Sequence, residues 1–364
     1  MAQKIDLKVF YTWGDESVSK YDPGFNKNIS WDIDLLTGYN YQWLINTAVN
    51  PGSHHFRGIV NPDIINHIQN WQPDTLLVYG WAYSSHLTVI RYFKGKIPIL
   101  FRGDSTLLDE RPEFKNLLRY VYLKWIYKHI DYAMYTGSNN RAYFKKYGLQ
   151  ENQLIFAPHA VDNERFAIPQ KKEIIQFKQK LNINSDNILI LFAGKFEEKK
   201  DPLLLLQAFI NLEAANTHLL FVGNGSLELA LKQQAVKYPN IHFMDFQNQS
   251  YMPVIYQACD IFCLPSKGPG ESWGLAVNEA MICGKAILVS NKTGCAIDLV
   301  KNNISGYIHM AGSKFDLEEK LHCLINKGKK ELFRMGEASK KQIKDWSFTV
   351  QANNIVNYKN GRNQ

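Results

Sequence analysis

The sequence predicts an α/β protein of two domains, each a parallel sheet covered by helices on both faces. Three observations carry that prediction. Short apolar runs rich in β-formers alternate with helical patterns, which is the βαβ rhythm of a parallel sheet. Glycine turns follow several of those runs, where a backbone must bend sharply or approach a ligand closely. The chain has 364 residues, 45% hydrophobic and 21% charged, enough for two complete cores.

In the first half a strand is expected over residues 5–11, running into Thr12-Trp13-Gly14-Asp15. Gly14 would then make the first glycine turn at a strand's carboxyl end. A helix fits 63–71, a strand 75–79, a helix 84–93 and a strand 97–101, followed by a strand over 131–136 and a helix from Ser138 to the glycine stop at Gly148. Residues 22–56 are less regular and rich in Tyr, Trp, Asn and Gly; such side chains line sugar clefts, although packed loop aromatics are commoner. Asp32-Ile33-Asp34 within it is a DxD triplet, a pattern that elsewhere clamps a diphosphate through a divalent cation. Here it does not end an apolar strand, and it is read as structural.

The second half is more regular, with strands expected over 188–193, 218–222, 241–244, 261–264 and 286–290. The charged segment 170–180 reads as a linker plus the first helix of the second domain, so the domains are divided at 1–168 and 169–364. The stretch 261–279 reads strand, glycine loop, helix, and carries Glu271 in the loop and Glu279 about a turn into the helix. In an open parallel sheet such a turn lies where ligands bind, with the new helix offering unpaired N–H groups and the positive end of its dipole. An anion is expected there, and carboxylates suit sugar hydroxyls, which donate to them.

The pair of glutamates with Ser272-Trp273-Gly274-Leu275 between them, Ala280-Met281 after them and Cys283-Gly284 next resembles the donor-site motif of retaining, GT-B-fold glycosyltransferases of the large family 4 (glycosyl transferases group 1). The likeness extends over most of residues 154–310 and covers the first domain in layout only. It implies two Rossmann-like α/β/α domains facing across a cleft, the second holding a nucleotide sugar and the first an acceptor, with the final helix able to cross back to the first domain. By the same resemblance Lys195 and Lys200, in the loop after the first strand of the second domain, grip the donor diphosphate. Gly14, Gly223, Asn224, Phe246, Gln247, Ser272, Trp273, Gly274 and Leu275 line the donor, Glu279 holds ribose hydroxyls and Glu271 the transferred sugar. Two ammonium groups would stabilise the charge that builds on a leaving diphosphate, so no metal and no other cofactor is expected.

The chain departs from the family pattern in places. Arg102-Gly103-Asp104 ends a strand where the family often has a histidine, so Asp104 is the candidate polar catalytic group; capping a turn or pairing with Arg102 is the alternative role. Pro158-His159-Ala160 stands for Pro-Asn-Gly, Asp245 for a glycine, Lys285 for a proline and Asp298 for a glutamate. The activity implied is metal-independent, retaining transfer of a hexose to a hydroxyl of a glycan or lipid-linked acceptor. A nucleotide-sugar epimerase of the same fold and a non-catalytic nucleotide or sugar binder are the alternatives. An epimerase needs acids or bases on both faces of the sugar, and no such set is visible.

Composition narrows the remaining classes. Five cysteines, an odd number with no CxxC pair, read as buried free thiols. No run approaches the ~20 apolar residues of a membrane span, so a cytoplasmic location is expected. Residues 1–168 hold 18 Lys and Arg against 16 Asp and Glu, and 169–364 hold 24 against 18. The excess favours anionic partners, but its lysines are scattered and no aromatic–basic motif appears, so nucleic acid is not expected. Residues 113–130 form a helical pattern on which Lys115, Arg119, Lys124 and Lys128 make a broad basic stripe flanked by Tyr120, Tyr122, Trp125 and Tyr127. That pattern suits peripheral contact with an anionic membrane. The alternative is an ordinary helix that buries Leu117, Leu118, Val121, Trp125 and Ile126.

Overall fold

A computed structural model describes residues 1–15, 19–22, 24–25, 27–110 and 115–359. The chain begins with β1 (Lys8–Tyr11), β2 (Ser19–Asp22), β3 (Lys27–Ser30) and β4 (Asn40–Trp43). It continues through α1 (Ile64–Trp71), β5 (Leu76–Tyr79), α2 (Ser84–Phe93), β6 (Ile99–Arg102) and α3 (Lys115–Tyr127). Next come β7 (Tyr132–Tyr135), α4 (Ser138–Lys146), β8 (Leu154–Phe156), α5 (Asn163–Ala167) and α6 (Lys171–Lys180). Then follow β9 (Ile188–Ala193), α7 (Pro202–Asn211), β10 (Thr217–Val222), α8 (Glu228–Ala235) and β11 (Ile241–Met244). The chain goes on through α9 (Met252–Ala258), β12 (Ile261–Leu264), α10 (Leu275–Ile282), β13 (Ala286–Ser290) and α11 (Ala296–Leu299). It closes with β14 (Gly306–His309), α12 (Lys314–Ile343) and α13 (Phe348–Lys359).

These elements sort into two compact units. The first comprises 1–20, 34–158 and 349–364; the second comprises 21–33 and 159–348. The division therefore falls after Pro158, earlier than the expected 168, and the short segment 21–33 is counted with the second unit. The expected boundary was drawn at a change in composition, whereas Val161 and Phe166 already belong to the second unit's core.

In the first unit β5, β6, β7 and β8 form a four-stranded parallel sheet. The strand expected over 5–11 is shorter, and it pairs in parallel with β4 outside that sheet, with Tyr11 opposite Trp43. The main sheet buries Ile99, Leu100 and Phe101 of β6 on both faces, which is why that run is continuously apolar. Helix α13 packs Ile355 beside Leu100, Met134 and Ala157, and its Asn354 amide donates to the Phe156 carbonyl at 2.8 Å.

The second unit is a six-stranded parallel sheet in the order β11-β10-β9-β12-β13-β14. Every residue of β9, β12 and β13 is buried, so these strands read as unbroken apolar runs. Pro202 at the start of α7 and the Ser313 hydroxyl accepting from the Asp316 N–H give two helices defined beginnings. Chain order reverses between β9 and β12, and this is the switch point at which doubly wound sheets open a crevice at the carboxyl ends of their strands. All five cysteines are free, and four of them are buried.

Candidate functional site

The second unit gathers its chemistry at the strand ends flanking that switch point. β9 runs into Gly194-Lys195 and a short turn over Glu198–Lys200, while β12 runs into the loop that carries Ser266 and Glu271. Lys200 Nζ lies 2.7 Å from Glu271 Oε2, and the Ser266 hydroxyl donates to the same oxygen at 3.0 Å. The pair is largely shielded, with side chains 18% and 9% exposed, so its attraction is much stronger than that of a surface pair. The two loops are also stitched by the Lys267 N–H donating to the Lys199 carbonyl at 2.9 Å and by Lys267 Nζ at 2.9 Å from Glu198.

The neighbouring turns are packed backbone against backbone. Gly223 has φ +142°, and a Cβ there would overlap the Gly194 carbonyl oxygen. Only glycine allows that approach. Asn224 then ties three strand ends together: its carbonyl accepts from the Phe196 N–H at 2.9 Å, its side-chain oxygen accepts from the Phe246 N–H at 2.9 Å, and its amide donates to Asp245 at 3.0 Å. Asp245, standing where a glycine was expected, is thereby held ionised, first by the Asn224 amide and then by Lys27. The Gln247 amide donates to the Asp245 carbonyl at 3.0 Å.

Lys195 is held differently. Asp22, at the end of β2, lies 2.8 Å from its ammonium, which also sits 5.2 Å from the Phe25 ring centroid. Burial pushes the Asp22 carboxyl up, but Lys195 and the N–H groups of Gly24 and Phe25 outweigh it and the net shift is downward. Phe25 and Trp31 pack on Phe246 with ring centroids 4.9 and 6.2 Å away. Asp32 of the DxD triplet accepts from the N–H of Ser250 at 3.1 Å and from its hydroxyl. Asp34 accepts from the N–H groups of Leu36 and Thr37 at 3.0 and 3.1 Å. Both aspartates thus already accept from protein donors, Asp34 from its own turn and Asp32 from Ser250. Sequence reasoning gave Asp22 and Phe25 no role; the signal available was an acid and an aromatic beside Pro and Gly in a polar stretch.

Gly274, with φ +94°, turns the chain into α10, whose first exposed side chain is Leu275. The first N–H groups of this helix are those that intrahelical bonding leaves over. The Trp273 indole is buried and donates to the Asn278 side chain at 2.9 Å, so that ring is spent inside the protein. Its carbonyl accepts from the Cys295 N–H at 2.9 Å, which fixes the loop. The Ser272 carbonyl packs where a Cβ on Gly294 would have to go. His159 gives its carbonyl to the Asn278 amide at 2.9 Å, with its ring 5.6 Å from Trp273.

Glu279 sits in a pocket of polar groups that the sequence did not disclose as a set. The Tyr256 hydroxyl donates to its Oε2 at 2.7 Å, Gln249 bonds to it, and the Arg165 guanidinium lies nearby, donating to the Gln249 side chain at 2.7 Å. Desolvation pushes the carboxyl up to about 7 against the opposing pull of Tyr256, Arg165 and Gln249. Titration is therefore centred near neutrality.

Two of the expected residues lie in the first unit. Gly14, with φ +93°, closes the turn after β1 through its N–H to the Tyr11 carbonyl at 3.2 Å. Asp104 is exposed just past β6, close enough for its charge to act on Arg102. Arg102 itself is buried, donating to the carbonyls of Ala157 and Pro158 at 2.6 and 3.2 Å. His86 joins the ends of β1 and β5: Nδ1 donates to the Tyr79 carbonyl at 2.9 Å, which leaves Nε2 to accept from the Thr12 hydroxyl at 2.9 Å. Burial lowers its pKa and favours that neutral form.

Residues 173–342 match the family of glycosyl transferases group 1. Among curated relatives, the N,N'-diacetylbacillosaminyl-diphospho-undecaprenol alpha-1,3-N-acetylgalactosaminyltransferase of Campylobacter jejuni is 26% identical over 65% of this chain and 64% of its own length. The chain spans 35% and 38% of two further relatives. Among solved structures, Anabaena HepE in complex with UDP superposes with a TM-score of 0.69 at 17% identity, over 83% of this chain and 82% of that one. Sucrose-phosphate synthase from Thermosynechococcus elongatus does so with a TM-score of 0.71 at 14% identity, over 97% and 98%. At such identities these likenesses establish the fold, which is GT-B.

Proposed function

We propose, from the match of residues 173–342 to glycosyl transferases group 1, that this protein transfers a hexose from a nucleotide diphosphate sugar to a hydroxyl of a glycan or lipid-linked acceptor. Transfer proceeds with retention of anomeric configuration and without a metal ion or other cofactor. The observation that carries the reading is the Lys200–Glu271 pair at 2.7 Å, which joins the β9 and β12 loops at the switch point, with Lys195 on the same β9 loop and Glu279 on the helix that follows Glu271. Relatives named for transfer to lipid-linked and lipopolysaccharide glycans, and a neighbour holding UDP, support the choice of donor and acceptor class.

In this reading the bond from the sugar's anomeric carbon to the diphosphate breaks with its electron pair passing to the phosphate oxygen. Lys195 and Lys200 stabilise the charge that builds there, and the first N–H groups of α10 add to it. The acceptor oxygen forms the new bond on the same face, and its proton passes to the departing phosphate. Glu271 orients the sugar through its hydroxyls, and Glu279 accepts from the ribose. Asp104 is retained as the candidate polar group of the first unit. A peripheral contact with an anionic membrane surface belongs to the same reading.

The test is a panel of UDP-, GDP- and dTDP-sugars scored by thermal shift, because a true donor stabilises the fold by mass action. It is followed by product analysis of the anomeric configuration with the stabilising donor, in buffer and in EDTA. Stabilisation by one donor class and an EDTA-resistant, retained product are expected. No shift with any nucleotide sugar refutes the donor reading, and an inverted or EDTA-abolished product refutes the mechanism.

A further inference from the structure

A helix that closes an α/β layer turns its apolar side chains to the sheet, but α3 keeps a second apolar face turned away from it. Leu123, Ile126 and Tyr127 are buried, yet Leu117 is 58% exposed, Leu118 73%, Val121 61%, Tyr122 43% and Trp125 39%. At the helical advance of roughly 100° per residue these five side chains cover an arc of about 140°, continuous along the helix. The alternative of an ordinary helix holds for Ile126, which is buried, and fails for Leu117, Leu118, Val121 and Trp125, while Tyr127, expected beside the basic stripe, lies in the core.

The rim of this face is cationic. Lys124 and Lys128 border one edge, Arg119 is exposed beyond the other, where it bonds Tyr143 and faces Glu110, and residues 115–130 contain no Asp or Glu. Trp125 stacks on Tyr122 at 5.9 Å with 22° between the rings, and the Arg91 guanidinium lies 5.5 Å from the Trp125 ring. Aromatic rings at the edge of a bare aliphatic patch, ringed by Arg and Lys, match the depth profile of a bilayer surface: aliphatic groups in the acyl region, Trp and Tyr at the headgroups, cations on lipid phosphates. A second copy of the chain would bring one cationic rim against another, so self-association is disfavoured by the same charges that attract anionic lipid.

We infer that the outward face of α3 is a membrane-docking surface, which seats Leu117, Leu118, Val121, Tyr122 and Trp125 in a bilayer containing anionic lipid. The surface deepens the peripheral-contact reading and does not depend on the donor site. Its test therefore reads binding, not transfer.

The full chain is sedimented with vesicles of phosphatidylcholine alone and of phosphatidylcholine mixed with phosphatidylglycerol, at low and high salt. Binding to the anionic vesicles is expected, weakened by salt and accompanied by a blue shift of tryptophan emission. Lys124→Glu/Lys128→Glu lowers vesicle affinity at least about tenfold, since each basic residue near such a surface contributes measurably. Leu118→Ser/Val121→Ser loses binding as well, with its thermal midpoint held because both residues are exposed. Absence of sedimentation with anionic vesicles overturns the inference. So does binding that survives both double variants, or a concentration-dependent dimer that the leucine and valine changes dissolve.

Discussion

Lys200 and Glu271 are joined at 2.7 Å between the β9 loop and the β12 loop, on opposite sides of the strand-order reversal. The cation proposed for the diphosphate and the carboxylate proposed for the sugar are thus one electrostatic unit. Each fixes the other's rotamer. A donor that engages both must exchange this pairing for its own phosphate and hydroxyl contacts, which makes the two residues non-additive.

Lys200→Ala is expected to lower turnover by roughly 10²–10³-fold, the usual cost of losing a positioned charge-stabilising group. It also leaves Glu271 buried without its cation, so the thermal midpoint falls too. Steady-state kinetics and thermal melts on Lys200→Ala, Glu271→Gln and the double variant check this. A double variant no worse than the poorer single is expected, and unchanged turnover in Lys200→Ala removes the lysine from the mechanism.

Asp22 and Lys195 form a second ion pair at 2.8 Å, and under the proposed donor reading the carboxylate competes for the place a phosphate would take. Asp22→Asn is expected to tighten binding of free nucleoside diphosphate by about threefold to tenfold, because it removes both the competitor and a nearby like charge. Isothermal calorimetry at fixed salt measures it. Weaker binding in the variant means that Asp22 positions Lys195 and does not compete with the ligand.

Much of this was legible in the sequence. Strands 188–193, 261–264 and 286–290 coincide with the observed elements because full burial on both faces leaves an unmistakable apolar run, while strand 241–244 and helix 84–93, which are only partly buried, coincide through their β-rich and helical spacing of apolar residues. Segment 21–33 was not legible: Asp22, Phe25 and Lys27 act through Lys195, Phe246 and Asp245, partners more than two hundred residues away in two of the three cases, and no local period encodes such contacts. For the same reason β1 gave no sign of leaving the main sheet for β4. Glu279 was visible as a residue, but its setting was not, since Tyr256, Gln249 and Arg165 come from three separate segments.

Gly223→Ala is expected to destabilise the second unit by about 2–4 kcal/mol, in the range of substitutions that force overlap at a positive-φ site. The new methyl would occupy the space of the Gly194 carbonyl and push the β9 loop away from β10. Denaturant melts check the stability, and a change within error would show that the loop yields freely.

The Glu279 carboxyl is pushed up to about 7 by burial from an ordinary value of 4.5. An acid with a raised folded-state pKa keeps its proton when the unfolded chain has already released it. The folded state therefore binds more protons between about pH 4.5 and 7, and this residue's contribution to stability falls as pH rises through that window. Glu279→Gln, which stays neutral throughout, should remove the slope and gain stability relative to the wild type above pH 7. Ligand binding should run the other way. Ribose hydroxyls donate best to the ionised carboxylate, so nucleoside diphosphate affinity is expected to rise between pH 6 and 8 in the wild type, and to be weaker and flatter in Glu279→Gln. Glu271→Ala should leave that affinity nearly intact and impair transfer. Calorimetry across the pH series decides the assignment: an affinity that Glu271→Ala lowers and Glu279→Gln spares would exchange the roles of the two glutamates.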